Sequence, residues 1–540
     1  MPKAQTMNPS TDPYRLLRKK VAVVGSGSAG IGALWALNKT YHDVYVYEAS
    51  DRLGGHTNTV DFKKGKFSAK VDTGFHVLNA ETFRDSPTVR YLANFIRFLE
   101  KINVKTAPTD LSFSVSRDCG AFEWAGASLT SLFCQRRNLL SPRMWRMLFD
   151  IIRFNQFSVD LLSKDEDDIS NIEVQSKPRH SVGYDFTIGE YLDQEGYSQA
   201  FRDDYLLPLA ASIWSTSPDK CALEFPALTF VRFMWNHHLL STFASRPQWL
   251  TIEGGSKSYI DAVMKGFPPN HLFLKTPVRR VTTESNGQVR LHLENGTSAL
   301  YDHVILATHG DEAFDIIKSS ATDQERFIMS CFKTSQNEVV LHSDLDMMPR
   351  RKKAWASWNY LTLSSPSSRK ANINQVSLTY NMNLLQHIPR NTFGDVLVTM
   401  NPLRKPKAAK TQGRYFYSQP LYTTSSVRAQ KLLKHIQNTR GISYAGAWTK
   451  YGFHEDGFSS GLEVAQDHLG AKLPFQYTDS TYSRGKRPLL GLFDLLLRLV
   501  ILVIQVFVIQ ILERLTGSSA PKRQRLVNGK GAKFVNGKHR

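Results

Sequence analysis

The sequence predicts an α/β fold. A parallel-sheet unit opens the chain, a mixed α+β portion follows, and an apolar helix lies near the C-terminus. Three observations carry this. A strand, a glycine-rich turn, a helix and a second strand occupy residues 20–48. A second glycine-rich segment lies far away, at 441–468. An apolar run of 24 residues, 489–512, is flanked by basic residues.

In the first stretch, Lys20–Val24 is short, β-branched and almost wholly apolar, as a buried parallel strand must be. Gly25, Gly27 and Gly30 follow in G-x-G-x-x-G spacing, 31–39 has helical apolar spacing, and a second strand ends at Glu48. This is a Rossmann-type βαβ unit with a mechanical reason for each part. Gly25 makes the tight turn, Gly27 lets backbone approach a pyrophosphate, and Gly30 lets helix and strand pack closely. The helix N-terminus offers unpaired N–H groups to phosphate, and Glu48 accepts from a ribose diol. The fingerprint serves NAD and FAD alike. Arg52, Gly54, Gly55 and His56 extend it into a second glycine turn, with Arg52 placed to meet a phosphate. Another strand and turn follow at Val71 to Phe75, through Thr73 and Gly74.

Residues 276–281 and 301–308 read as strands. Segment 441–468 reads as a strand, turns at Gly446 and Gly457, and a helix from Gly461. His454, Glu455 and Asp456 do not form H-E-x-x-H, so a structural turn is expected there and no metal site. Ser26 lies in G-S-G-S-A-G, which is not a nucleophile elbow.

Of the net charge of +20, the flanks 1–20, 484–487 and 515–540 hold +14. Basic charge therefore brackets the apolar run rather than covering a folded face, which favours an anionic membrane surface over nucleic acid. The run is long enough to span a bilayer, yet Asp494, Arg498 and Gln505 fall on one stripe. Two membrane readings stay open: a tilted span with the stripe against a partner, or an in-plane helix with the stripe toward headgroups. Burial against the body is the alternative. Cys119, Cys134, Cys221 and Cys331 are widely spaced without C-x-x-C, so reduced, cytosol-facing thiols are expected.

On the fingerprint, the acid and the Arg-x-Gly-Gly turn, the chain resembles the flavin-containing amine oxidase superfamily, which includes phytoene desaturase-like enzymes. His56 stands where many members carry arginine. Segments 211–217, 236–240, 246–249, 304–309, 444–448 and 452–457 resemble one subfamily: FAD/NAD-binding proteins often encoded beside cyclopropane-fatty-acyl synthase-like enzymes. The resemblance covers residues 18–472.

The resemblance implies FAD bound by Gly25, Ser26, Gly27, Ala29, Gly30, Glu48, Ala49, Arg52, Gly54, Gly55, His56, Thr73, Gly74, Val278, Ala307, Gly446, His454, Glu455, Gly457 and Phe458. Val278 backbone is expected at the adenine. Covalent members use a cysteine near the C-terminal motif; the last cysteine here is Cys331, so non-covalent FAD is implied. No catalytic residue is assigned; His56, Trp448 and Phe458 are the flavin- or substrate-facing candidates, Phe458 at a cage position.

The expected organisation is a basic arm (1–19), FAD-domain parts at 20–80, 250–310 and 440–472, and lobe parts at 81–249 and 311–439. A linker (473–487), a membrane anchor (488–514) and a basic tail (515–540) complete it. The expected reaction removes a hydride from a lipid or other membrane-resident substrate to flavin N5, with oxygen or another electron acceptor downstream. A small-amine oxidase, or a non-catalytic flavin-binding partner of a lipid-modifying methyltransferase, is the alternative. An NAD-dependent dehydrogenase is disfavoured by the Arg52 turn and the C-terminal motif. The body is expected in the cytosol, held to membrane lipid by the C-terminal helix.

Overall fold

The computed structural model describes residues 18–79, 82–86, 89–163, 186–215, 223–240, 248–365, 377–482, 488 and 490–515. The arm before residue 18, the acidic run 164–168, Thr216, Ser217, Cys221, residues 246–247, the cluster 484–487 and the tail from 516 lie outside them.

At the centre is a five-stranded sheet in the order Leu272–Phe273, Asp43–Tyr47, Lys20–Val24, His303–Leu306, Ile442–Tyr444. All its pairings are parallel. The middle strand explains its own composition. Val21 and Val23 face one layer, with helix Ser28–Leu37; Ala22 and Val24 face the other, with the antiparallel strands 278–301. Successive residues point to opposite faces, so a strand covered on both must be apolar throughout.

Helix Ser28–Leu37 is buried from Ala29 onward. It is covered by helix His454–Leu469, which starts seven residues before the helix expected from Gly461. The Asp456 carboxylate accepts from the Phe453 N–H at 3.0 Å and so starts the helix there. His454, Glu455 and Asp456 are thus a first helical turn, not a loop.

The lobe is a seven-stranded mixed sheet and a helical cluster. The sheet order is Phe122–Ala125, Phe113–Arg117, Trp358–Thr362, Ser377–Asn381, Leu397–Met400, Thr334–His342, Thr411–Pro420. The cluster packs Phe154 and Leu162 with Trp214, Phe230 and Phe233.

The C-terminal run forms helix Leu492–Ile504, a wider π turn over Gln505–Ile509, and Gln510–Leu515. Its Leu492–Ile509 stretch is apolar and long enough to cross a membrane, and 6% of it is buried. The polar stripe faces the protein itself rather than headgroups or a separate partner. Arg498 pairs with Asp160 at 2.8 Å and donates to the Gln156 carbonyl, and Gln156 reaches Asp494 at 3.5 Å. Leu495, Leu499, Val503 and Phe507 are exposed on the outside.

Candidate active site

The C-terminal ends of the parallel strands and the inner faces of the lobe enclose one cavity of about 870 Å³. Gly25, at φ +95°, turns the chain out of the first strand, where a Cβ would sit 2.7 Å from the Ala307 carbonyl oxygen. A Cβ on Gly30 would lie 2.0 Å from the Gly25 carbonyl oxygen, so this glycine sets the helix-to-strand distance. Gly27 differs: a Cβ there would meet nothing within 4 Å and would project into open space. No side chain caps the helix at Gly27, and Gly27, Ser28 and Ala29 line the cavity. The first helical amides and the positive end of the dipole make this cradle suited to an anion.

Glu48 holds this turn to the next. Ser26 donates to it from its N–H at 3.0 Å and its hydroxyl at 2.5 Å; Ser50 does so at 2.8 and 2.6 Å. The two serine hydroxyls are donors that a ribose diol could replace on the Glu48 carboxylate. The Arg52 guanidinium donates to the carbonyls of Gly55 at 2.8 Å and Thr57 at 3.2 Å, so it clamps the second glycine turn from its own side. Gly55, at φ +57°, brings that turn within 3.2 Å of the Gly27 Cα as measured from a built Cβ.

Most of the expected residues do converge. Gly25, Ser26, Gly27, Ala29, Glu48, Ala49, Arg52, Gly54, Gly55, His56, Gly74, Val278, Ala307, Gly446, Trp448, His454 and Glu455 all line the cavity. Gly30, Thr73, Gly457 and Phe458 do not. Phe458 is fully buried between helices, 4.4 Å from the Phe98 ring and against Gly32. It is core and not a cage wall, because it sits on the face of helix His454–Leu469 turned to helix Ser28–Leu37. Thr73 is also buried and acts at one remove: its hydroxyl and the Asn58 amide hold the Tyr417 hydroxyl at 2.7 and 2.9 Å. Gly457 is a spacer, since a Cβ would fall 2.3 Å from Ser28 Oγ. Glu455 lines the wall, yet its carboxylate accepts from the Asn94 and Phe95 N–H groups at 2.9 and 2.8 Å, capping helix Asn94–Lys101. Trp448 is buried and donates from its indole to the Thr308 carbonyl at 3.0 Å, which makes it a strut of the wall.

His454 stacks on Phe75 at 3.8 Å and meets the Tyr259 hydroxyl at 3.0 Å. Among the described residues no group of three His, Cys, Asp or Glu side chains is gathered for a metal. Burial pulls His454 down to about 3, His56 to about 3 and His76 to about 4, so all three rings are neutral near pH 7. The Nε2 atoms of His56 and His76 are buried without a hydrogen-bond partner in the protein. Burying a polar atom unpaired is costly, so these orphans mark where a bound molecule completes the wall.

The lobe contributes what sequence reasoning did not single out. Tyr417 stands 5.1 Å from the His56 ring and Tyr380 4.4 Å from the His76 ring. Leu209, Ile213, Trp214, Phe233, Trp249 and Trp358 extend the wall. Of the described lobe residues that line the cavity, only Glu312 and Asp315, both on helix Gly310–Ile317, are charged. The alternation of Tyr415 and Tyr417 along Thr411–Pro420 was the available signal for an inward-facing aromatic.

Residues 28–319, more than half of the chain, match the sequence model of the flavin-containing amine oxidoreductases. The chain belongs to that family. It is an FAD-dependent oxidoreductase, and the cradle at Gly27, the Glu48 turn and the unpaired histidines suit a dinucleotide with a flat ring system. Among curated relatives, an L-amino acid oxidase of Cerastes cerastes is 42% identical over 55 residues, 10% of this chain and 9% of that one. The match thus spans about a tenth of that relative's length. Cyclohexylamine oxidase from Brevibacterium oxydans IH-35A shares the fold at a TM-score of 0.57 and 13% identity, over 84% of this chain and 99% of that one. A CLA-producing fatty acid isomerase from P. acnes does so at 0.54 and 14%, over 83% and 98%. At such identities the flavoprotein's fold is what is shared.

Proposed function

We propose that this FAD-dependent oxidoreductase acts on an apolar, membrane-resident substrate such as an acyl lipid. One observation carries the reading: the aromatic lobe wall at Trp214 and Phe233 and the exposed C-terminal helix are two sides of one helical cluster. Trp214 and Phe233 face the cavity from it, while Phe154 and Leu162 pack it under the elements on which the C-terminal helix lies. Pinning of Asp494 and Arg498 to the body favours the in-plane helix over the span, with the apolar side outward toward lipid.

The FAD residues are assigned to the glycine cradle, the Glu48 turn, Val278 and Ala307, without a covalent link, and the FAD domain to residues 20–80, 250–310 and 440–472. FAD supplies a two-electron acceptor when bound. The protein's part is to hold the dinucleotide by backbone amides, to exclude water with aromatic rings, and to present neutral histidine nitrogens. The lobe carboxylates on the cavity wall, Glu312 and Asp315, and the His56 and Tyr417 rings are what an amine would use. Association with a lipid-modifying methyltransferase follows from the subfamily resemblance and adds a second reading, a flavin-bound partner without turnover.

The test is the absorbance of detergent-purified protein before and after anaerobic addition of membrane lipid extract. Bleaching of the yellow protein by lipid, and not by an amine panel, is expected. Bleaching by an amine alone overturns the substrate class. Flavin that stays oxidised with both supports the partner reading.

A further inference from the structure

We infer that a second, separate surface seats the body on an anionic bilayer: the segment 129–145, which lies on the same side of helix Pro142–Phe157 as the C-terminal helix. This rests on the membrane reading above and adds a site to it.

The surface is apolar where a water-facing loop is ordinarily polar. Leu129 is 77% exposed, Leu140 88% and Trp145 53%. The patch is held in place at Trp145 and by the backbone beneath it. Ser141 and Pro142 start the helix, the Trp145 indole donates to the Leu139 carbonyl at 2.8 Å, and Phe133 backs the ring at 5.6 Å. A gathered apolar patch held in place marks an interaction site.

Charge selects the occupant. Residues 126–149 contain no Asp or Glu, and Arg136 and Arg137 are exposed beside Leu139 and Leu140. The turn Lys352–Ala354 packs against helix Leu129–Leu132 and adds exposed Lys352 and Lys353. Apolar side chains rimmed by cations fit the headgroup region of an anionic leaflet.

Helix geometry ties this surface to the C-terminal helix. Trp145, Phe149, Ile152 and Gln156 recur at spacings of four, three and four, so they form one stripe. Gln156 touches Asp494, and its carbonyl accepts from Arg498. Trp145 is therefore about 17 Å along the same face at 1.5 Å per residue. The two contacts share one side of the molecule, and two contacts bind a bilayer far more firmly than one.

Hydrogen exchange of the full chain, reconstituted into phosphatidylcholine vesicles with and without one part in five of phosphatidylglycerol, tests this. The expected result is slowed exchange over 126–149 and 350–354, stronger with the anionic lipid, together with protection of 490–515. Protection of 490–515 alone overturns the second surface and leaves the anchor standing. Protection of neither overturns both. Protection of 126–149 that tracks protein concentration rather than lipid charge makes it a contact between copies and also overturns the proposal. As a second measurement, L140E/W145E should keep its flavin spectrum and weaken partitioning onto anionic vesicles by about tenfold or more; unchanged partitioning sinks the idea.

Discussion

Where helix Ser28–Leu37 meets helix His454–Leu469, backbone touches backbone. A Cβ on Gly461 would lie 2.0 Å from the Ala29 carbonyl oxygen, and one on Gly32 2.5 Å from that of Phe458. Across the cavity the lobe wall is made of side chains: Tyr417, Tyr380, Trp214 and Phe233 arrive from four elements distant in sequence. The cofactor side is a matter of missing side chains at fixed local spacings. The lobe side is a matter of large ones brought together by the fold. The first tolerates almost no substitution; the second can be re-cut for a new substrate while the first stays as it is.

The sharpest way to break this comparison is Gly461→Ala. No flexible side chain can give way there, so a loss of about 3 kcal/mol or more is expected in urea denaturation. A loss under 1 kcal/mol would mean the two helices slide apart freely.

Acid should act next most strongly, through buried side chains and not the glycine contacts. His76, His303 and His342 are under a tenth exposed and held at about 4, 3 and 4. Their folded values lie below the ordinary 6.5, so the unfolded chain takes up protons first and stability is lost as pH falls from about 6.5 toward 3–4. Asp72 and Asp456, raised by burial to about 6, protonate first in the folded chain and offset part of this between about 6 and 3.8. The three histidines outweigh the two aspartates, so stability should drop by roughly 2 kcal/mol between pH 7.5 and 5.5. Denaturation midpoints at the two pH values check this; an increase on acidification would refute it.

Gly27→Ala separates binding from folding. Its backbone, at φ −64°, accepts alanine, and the new methyl enters only the cradle. Stability should stay within about 0.5 kcal/mol while FAD affinity, by titration of apoprotein, falls about tenfold or more. Tyr417→Phe should remove about 1 kcal/mol, because Thr73 and Asn58 lose their buried partner. Asp160→Asn breaks a half-exposed ion pair and should change stability by less than about 1 kcal/mol.

The dinucleotide half was largely legible because its determinants are neighbours in the chain. Gly25 and Gly30 do in the structure what their spacing requires, one as a turn and one as a close contact between helix and strand. The misses share a cause. Phe458 and Thr73 are one or two residues from cavity-lining positions, and helical or strand phase turns them to the core and to Tyr417. Phase could not be read before the start of helix His454–Leu469 was known. Tyr417, Tyr380 and His76 carry no local motif at all.

Sequence by itself determined the nucleotide cradle and an apolar C-terminal helix with one polar stripe. Both are periodic or short-range patterns, written into residues a few positions apart. Only the tertiary structure decided where that stripe points, which rings close the cavity, and that Leu129, Leu140 and Trp145 stay outside. Those outcomes depend on which distant segments compete for the same buried space, and no local spacing records that competition.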